Sequence, residues 1–171
     1  FNVVCMYRTI ADFLAEWRTE TDDTLKIFGA LTDEALFSSI HPDVRTLGRL
    51  AWHITQTLTE MPARAGLVPA DTLEHVPCPP LVAAIKEQYA THAAALAAAV
   101  QAQWTDAGLQ EQVEMYGEQW AKGFILRVLV THQIHHRAQM TVVMRQLGLK
   151  VPGIYGPSKE EWAAWGMPAA E

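Results

Sequence analysis

The chain has 171 residues and 19.0 kDa, 50% hydrophobic and 19% charged, a composition that belongs to an ordinary folded domain and excludes a disordered chain. A chain of this size withdraws roughly 70% of its unfolded surface from water, so it needs neither disulfides nor a structural metal to fold, and any metal would serve chemistry. Thirteen Lys and Arg against nineteen Asp and Glu leave a formal charge of −6, the wrong sign for gripping a phosphate backbone, which argues against nucleic acid as a partner.

The apolar runs Phe124–Leu126 and Val128–Val130 are broken by Arg127 and Thr131, far short of the ~20 residues that a membrane span needs. The two cysteines, Cys5 and Cys78, lie far apart without CxxC spacing, so a disulfide framework and a thiolate zinc site are both unsupported and a reducing cytoplasm is expected. The sequence starts at Phe1 rather than Met and shows no leader pattern, which suggests that a few native residues are missing.

Helical periodicity runs through the chain and no segment alternates apolar with polar residues for long, so the reading is all-α. The first helix is predicted from Met6 to Ala30, with Ile10, Phe13, Leu14, Trp17, Leu25 and Phe28 at helical spacing. Thr32-Asp33-Glu34 reads as a short capped turn of helix, ended by His41-Pro42. The second helix is predicted from Leu47 to Met61 behind Thr46 as N-cap, and the five prolines between Pro62 and Pro80 make the next stretch a long connection. A third, alanine-rich helix runs from Leu81 to Trp104. After a break at Asp106-Ala107-Gly108 and a turn at Tyr116-Gly117-Glu118, the last helix spans Trp120 to Leu147, with Gly148 at C′. The punctuated tail from Val151 to Glu171 is expected to pack across the bundle. With no repeat and no second domain, residues 1–171 read as one four-helix bundle with a long crossover between helices two and three.

Three of the seven histidines fall in Thr131-His132-Gln133-Ile134-His135-His136-Arg137. Steps of three and four along the last helix trace Ile125, Leu129, His132, His136 and Met140, so these histidines stand in a core stripe. Buried imidazoles without partners cost about 1–3 kcal/mol each, and a divalent ion would satisfy them, because residues at i and i+4 lie one above the other on a helix. A third ligand is required. His53, beside the stripe of Leu50, Ile54 and Leu58, is well placed for the bundle interior; His92 is a weaker competitor, and His41 and His75 sit in turns near prolines. Spacing alone leaves His132 with His135 and His132 with His136 both open as pairs on one helix face.

The segment HxxxHR followed by Ala138-Gln139, Leu147-Gly148 and Tyr155-Gly156-Pro157-Ser158 resembles the C-terminal half of the DinB/YfiT family, whose signature usually reads HxxxHRGQ. Leu47-Gly48-Arg49-Leu50-Ala51-Trp52-His53 is similar to the family's leucine-rich segment carrying its first ligand. Ala138 stands where the family commonly has Gly, a small-for-small change. The resemblance implies a four-helix bundle, frequently a homodimer, with a three-histidine metal site, here His53, His132 and His136. It is the resemblance that prefers His136 to His135, which becomes a neighbour or a pocket residue.

Around these ligands, Gln139 is a candidate hydrogen-bond partner three residues after His136, and Glu60, two turns beyond His53, a candidate carboxylate or base. Arg137 is read as a surface or salt-bridged residue outside the site, and the six tryptophans as core or interface anchors, with Trp52 and Trp120 as pocket candidates. Three neutral imidazoles leave a zinc, nickel, iron or manganese ion its charge and an open coordination position, the arrangement of a catalytic site. The resemblance implies metal-dependent hydrolysis, or transfer that uses a low-molecular-weight thiol, on a small-molecule substrate. The alternative is a stress-related protein that binds a metal or small molecule without turnover.

Overall fold

A computed structural model describes residues 6–169. Four helices carry the architecture: α1 (Ile10–Gly29), α2 (Leu47–Arg64), α3 (Val82–Gln103) and α4 (Lys122–Gln146). A short antiparallel hairpin, β1 (Gln112–Met115) and β2 (Glu118–Ala121), precedes α4. Among the described residues no helix is long and apolar enough to cross a membrane. Cys5 lies outside the described residues, and Cys78 is a free, partly buried thiol.

The helices begin where their caps dictate. Thr9 Oγ1 accepts the Asp12 amide at 3.1 Å, so α1 starts at Ile10 rather than at Met6, and Tyr7 instead donates its backbone N–H to Gly123 at the head of α4. Thr46 caps α2 by accepting the Arg49 amide, as its position suggests. That helix runs through Pro62 and ends at Arg64, not at Met61. In the last turn a proline removes a single ladder bond, and Ala65 N–H still reaches the Met61 carbonyl. The segment after α1 makes turns but no helix: its Asp33 carboxylate accepts the Val82 amide at 2.7 Å and so supplies the cap that Leu81 cannot give α3.

The hairpin is absent from the sequence reading, since four-residue strands are too short to show alternation. Its loop residues Tyr116 and Gly117 have φ of 56° and 85°, the two positive values that a two-residue hairpin turn with the right twist demands. At the other end of α4, Gly148 at φ 77° lets its own N–H reach the Arg145 carbonyl and that of Leu149 reach Met144, satisfying the helix's last acceptors.

Packing joins α2 to α3 and α4, and α1 to the same two helices, so α1 and α2 lie diagonally across the bundle. The proline-rich connection from 65 to 81 is long, and so are those from α1 to α2 and from α3 to α4, which link helices that are not packed neighbours. Phe13, Trp17, Phe28, Leu50, Trp52, Ile54, Tyr89, Ile125 and Met140 fill the centre. The tail does lie on the bundle: Val151 is buried, Lys26 donates to the Gly153 carbonyl, and Tyr155 reaches α1 and α4. Trp165, in a short turn of 3₁₀ helix, is 67% exposed, and so is not the core anchor its size suggests.

Candidate metal centre

The direct packing of α2 against α4 sets the site. Position 53 lies on the flank of the apolar stripe of α2, and positions 132 and 136 lie one turn apart on the face of α4 that meets it. His53, His132 and His136 therefore converge, with ligand atoms all within 4.8 Å of one another. The Nε2 atom of His132 is 3.2 Å from Nε2 of His53 and 3.2 Å from Nε2 of His136. The rings meet edge to face, with centroids 4.4 to 4.9 Å apart.

Three imidazole nitrogens at this spacing pose a proton problem. One N–H can bridge one pair, but three lone pairs aimed at a common point repel unless a positive species stands between them. A tetrahedral ion holding nitrogens at about 2.0–2.1 Å spaces them about 3.3–3.4 Å apart, close to the two short separations found here. The donor set fits a divalent cation.

Protonation is disfavoured at the same place. Burial, with help from the neighbouring histidines and from Arg45, pushes His53 down to about 4; burial first, then His136, His135 and Arg45, pushes His132 to about 4 as well. His136 is lowered by burial, partly offset by its bond to Gln139. Neutral imidazole is the form that binds a metal.

Gln139 settles the tautomer of one ring. The Nδ1–H of His136 donates to Gln139 Oε1 at 2.8 Å, which leaves Nε2 with its lone pair toward the other two rings, and Gln139 Nε2 donates to His135 Nε2 at 3.0 Å. His135 is exposed, with its ring 4.9 Å from that of His136, and it lines the adjacent groove rather than joining the cluster. His132 Nδ1 is buried without a hydrogen-bond partner, so the polar contacts of that ring are those of Nε2 with His53 and His136.

Glu60 is not brought to the cluster. Two turns carry it about 10 Å along the axis from His53, where its carboxylate accepts from Arg64 Nε at 2.7 Å and from the Tyr116 hydroxyl at 2.9 Å. His41 and His75 are exposed in turns, and His92 on α3 stands apart. Neither Trp52 nor Trp120 lines the groove: their indole N–H groups donate to the Val76 carbonyl and to Glu118.

That groove, about 600 Å³, opens beside His136 and is walled by Ile40, Leu50, Val142 and Val143, with Arg45 at its edge. Arg45 carries no sequence signal of its own, because a basic residue one position before a helix cap is common in any loop. Arg137 is salt-bridged, as its sequence position suggests, yet 2% exposed. Its guanidinium donates to the Glu20 carboxylate at 2.6 Å, to the Glu20 carbonyl and to Thr24 Oγ1, joining α4 to α1 at the residue that follows His136.

Comparison with known proteins places the chain in a family. The chain is 43% identical over 164 residues to the uncharacterized protein YrdA of Bacillus subtilis strain 168, covering 96% of this chain and 98% of that one. A crystal structure of a DinB-like protein from Bacillus cereus ATCC 10987 superposes with a TM-score of 0.79 at 40% identity, over 88% of this chain and all of the other. A second, the DinB-like YjoA of Bacillus subtilis, has a TM-score of 0.67 at 13% identity, covers 85% and 98%, and bears on the fold alone. The sequence model of the DinB family matches residues 6–167, a span that takes in all four helices and all three converging histidines, and the chain belongs to that family.

Proposed function

We propose that this protein is a metal-dependent enzyme whose His53, His132 and His136 hold one divalent cation and whose groove beside His136 admits a small molecule. The observation that carries this reading is the convergence of three Nε2 atoms, two of the separations being 3.2 Å, at a place where protonation is disfavoured. With only three protein ligands, a bound zinc, nickel, iron or manganese ion would activate water or a low-molecular-weight thiol, for hydrolysis or for thiol transfer. The chain's own contribution is positional. His136 is held in one tautomer by Gln139, His132 is packed on its outer side, and the apolar walls of Ile40, Leu50 and Val143 limit water around a bound molecule.

Elemental analysis of protein purified without a metal-affinity tag tests the reading, with activity measured on ester and thiol-transfer panels. We expect about one equivalent of metal per chain. His53→Ala, His132→Ala and His136→Ala should each lower affinity by more than about 100-fold, beyond what loss of an outer hydrogen bond does, while circular dichroism stays helical. Folded wild-type protein that takes up no divalent metal overturns the proposal. Stoichiometric metal with no turnover on either panel moves the function to binding without catalysis.

A further inference from the structure

The groove beside the histidines has an apolar length and one cationic side chain with no protein partner among the described residues. Ile40, Val44, Leu50, Val142 and Val143 give it hydrocarbon walls, and Arg45 and Asp43 stand at its edge. These two are not a pair. The Asp43 side chain is 91% exposed, its Oδ2 lies 3.8 Å from His41 Nδ1, and its backbone N–H donates to the same ring nitrogen. The Arg45 guanidinium makes no hydrogen bond and no salt bridge among the described residues. It lines the same groove as His135 and His136. Arg49, the other cation acting on His53, differs in donating to Gln56.

Arg45 is exposed, so solvent screens its repulsion of a cation held at the histidines, and an anion lying between the two relieves what repulsion remains. The fork of donors on Arg45 matches a carboxylate in two-point contact. We propose that the ligand of this groove is a small organic anion whose carboxylate is held by Arg45, whose apolar segment lies along Leu50 and Val143, and whose reactive end reaches the histidines. The placement of the reactive end rests on the metal-centre reading above, whereas the carboxylate subsite is read separately.

Mercaptohexanoate and its neutral amide are suitable probes, titrated by calorimetry into the full chain both metal-free and zinc-loaded. Wild-type protein should bind the carboxylate about tenfold more tightly than the amide, a preference that shrinks at high salt. Arg45→Gln should bring the two within about twofold without weakening the amide, and Arg45→Lys should restore part of the preference. Wild-type protein that treats the two probes alike, or a preference that survives in Arg45→Gln, overturns the proposal. Zinc uptake is titrated separately: stoichiometric uptake without carboxylate preference removes the Arg45 assignment alone. Absence of uptake removes the metal centre, and the metal-free titrations still decide Arg45.

Discussion

Gln139 determines which nitrogen of His136 is free. Its amide oxygen can only accept, so the 2.8 Å contact places the proton of that ring on Nδ1 and turns the Nε2 lone pair toward His132. Its amide nitrogen is used up on His135, which locks the orientation of the whole side chain. Outer partners of this kind are worth about 10–100-fold in metal affinity. Gln139→Ala should therefore weaken zinc binding by that factor, measured by competition with a chelator, whereas Gln139→Glu, which keeps an acceptor, should retain most of it; equal affinity in wild type and Gln139→Ala would show that the tautomer is set by something else. Position 139 is legible in the sequence from its three-residue step beyond His136. His53 is legible for a weaker reason, since a lone histidine flanking an apolar stripe is ordinary and only the leucine-rich segment around it singles it out. Glu60 shares a face with His53, but facing the same way does not shorten the distance along the axis, and a nearer tyrosine and arginine hold its carboxylate.

Between elements, the most consequential contact is the ion pair of Arg137 and Glu20, which fastens α4 to α1 one residue from a ligand. Both side chains are almost fully withdrawn from water, and the Tyr155 hydroxyl completes the group, accepting from Arg137 at 2.6 Å and donating to Glu20 at 2.8 Å. Removing one member of a buried pair strands the other, at about 3–5 kcal/mol. Glu20→Gln and Arg137→Met should each cost that much in urea denaturation, and the double variant much less than their sum; additive losses would mean the pair is not coupled. Glu20 stands in the apolar stripe Phe13, Trp17, Glu20, Thr24, Ile27, a charge on a buried face that calls for a partner. The helices themselves are legible because their periodicity repeats over five or more turns. The hairpin is not, because its stability comes from a turn with two positive φ values and from burial of Met115, neither of which a four-residue window exposes.

At the scale of the whole molecule, the histidine cluster ties folding to pH. In the unfolded chain each imidazole titrates near 6.5, whereas in the folded one His53 and His132 are held down to about 4, and His136 and His92 are lowered in the same direction. Between those values the unfolded chain binds more protons, so stability rises with pH through this window and is fully present above about 6.5. On acidification it is lost from about 6.5 down to about 4, below which both states carry the protons. A tenfold difference in proton affinity between the two states corresponds to about 1.4 kcal/mol, but rings this open to solvent realise a fraction of it, on the order of 2 kcal/mol for the pair. For a chain of this length that is a fall in Tm on the order of 4–8 °C for metal-free protein between pH 7 and pH 4.5. His53→Gln should flatten the slope by roughly half, since one of the two most strongly depressed imidazoles is gone. Loading with zinc should raise Tm at pH 7 and steepen the loss in acid, because proton and cation compete for the same lone pairs. Melts of the metal-free protein that stay level across this range, or a slope that His53→Gln leaves unchanged, would show that the cluster is not what couples stability to pH.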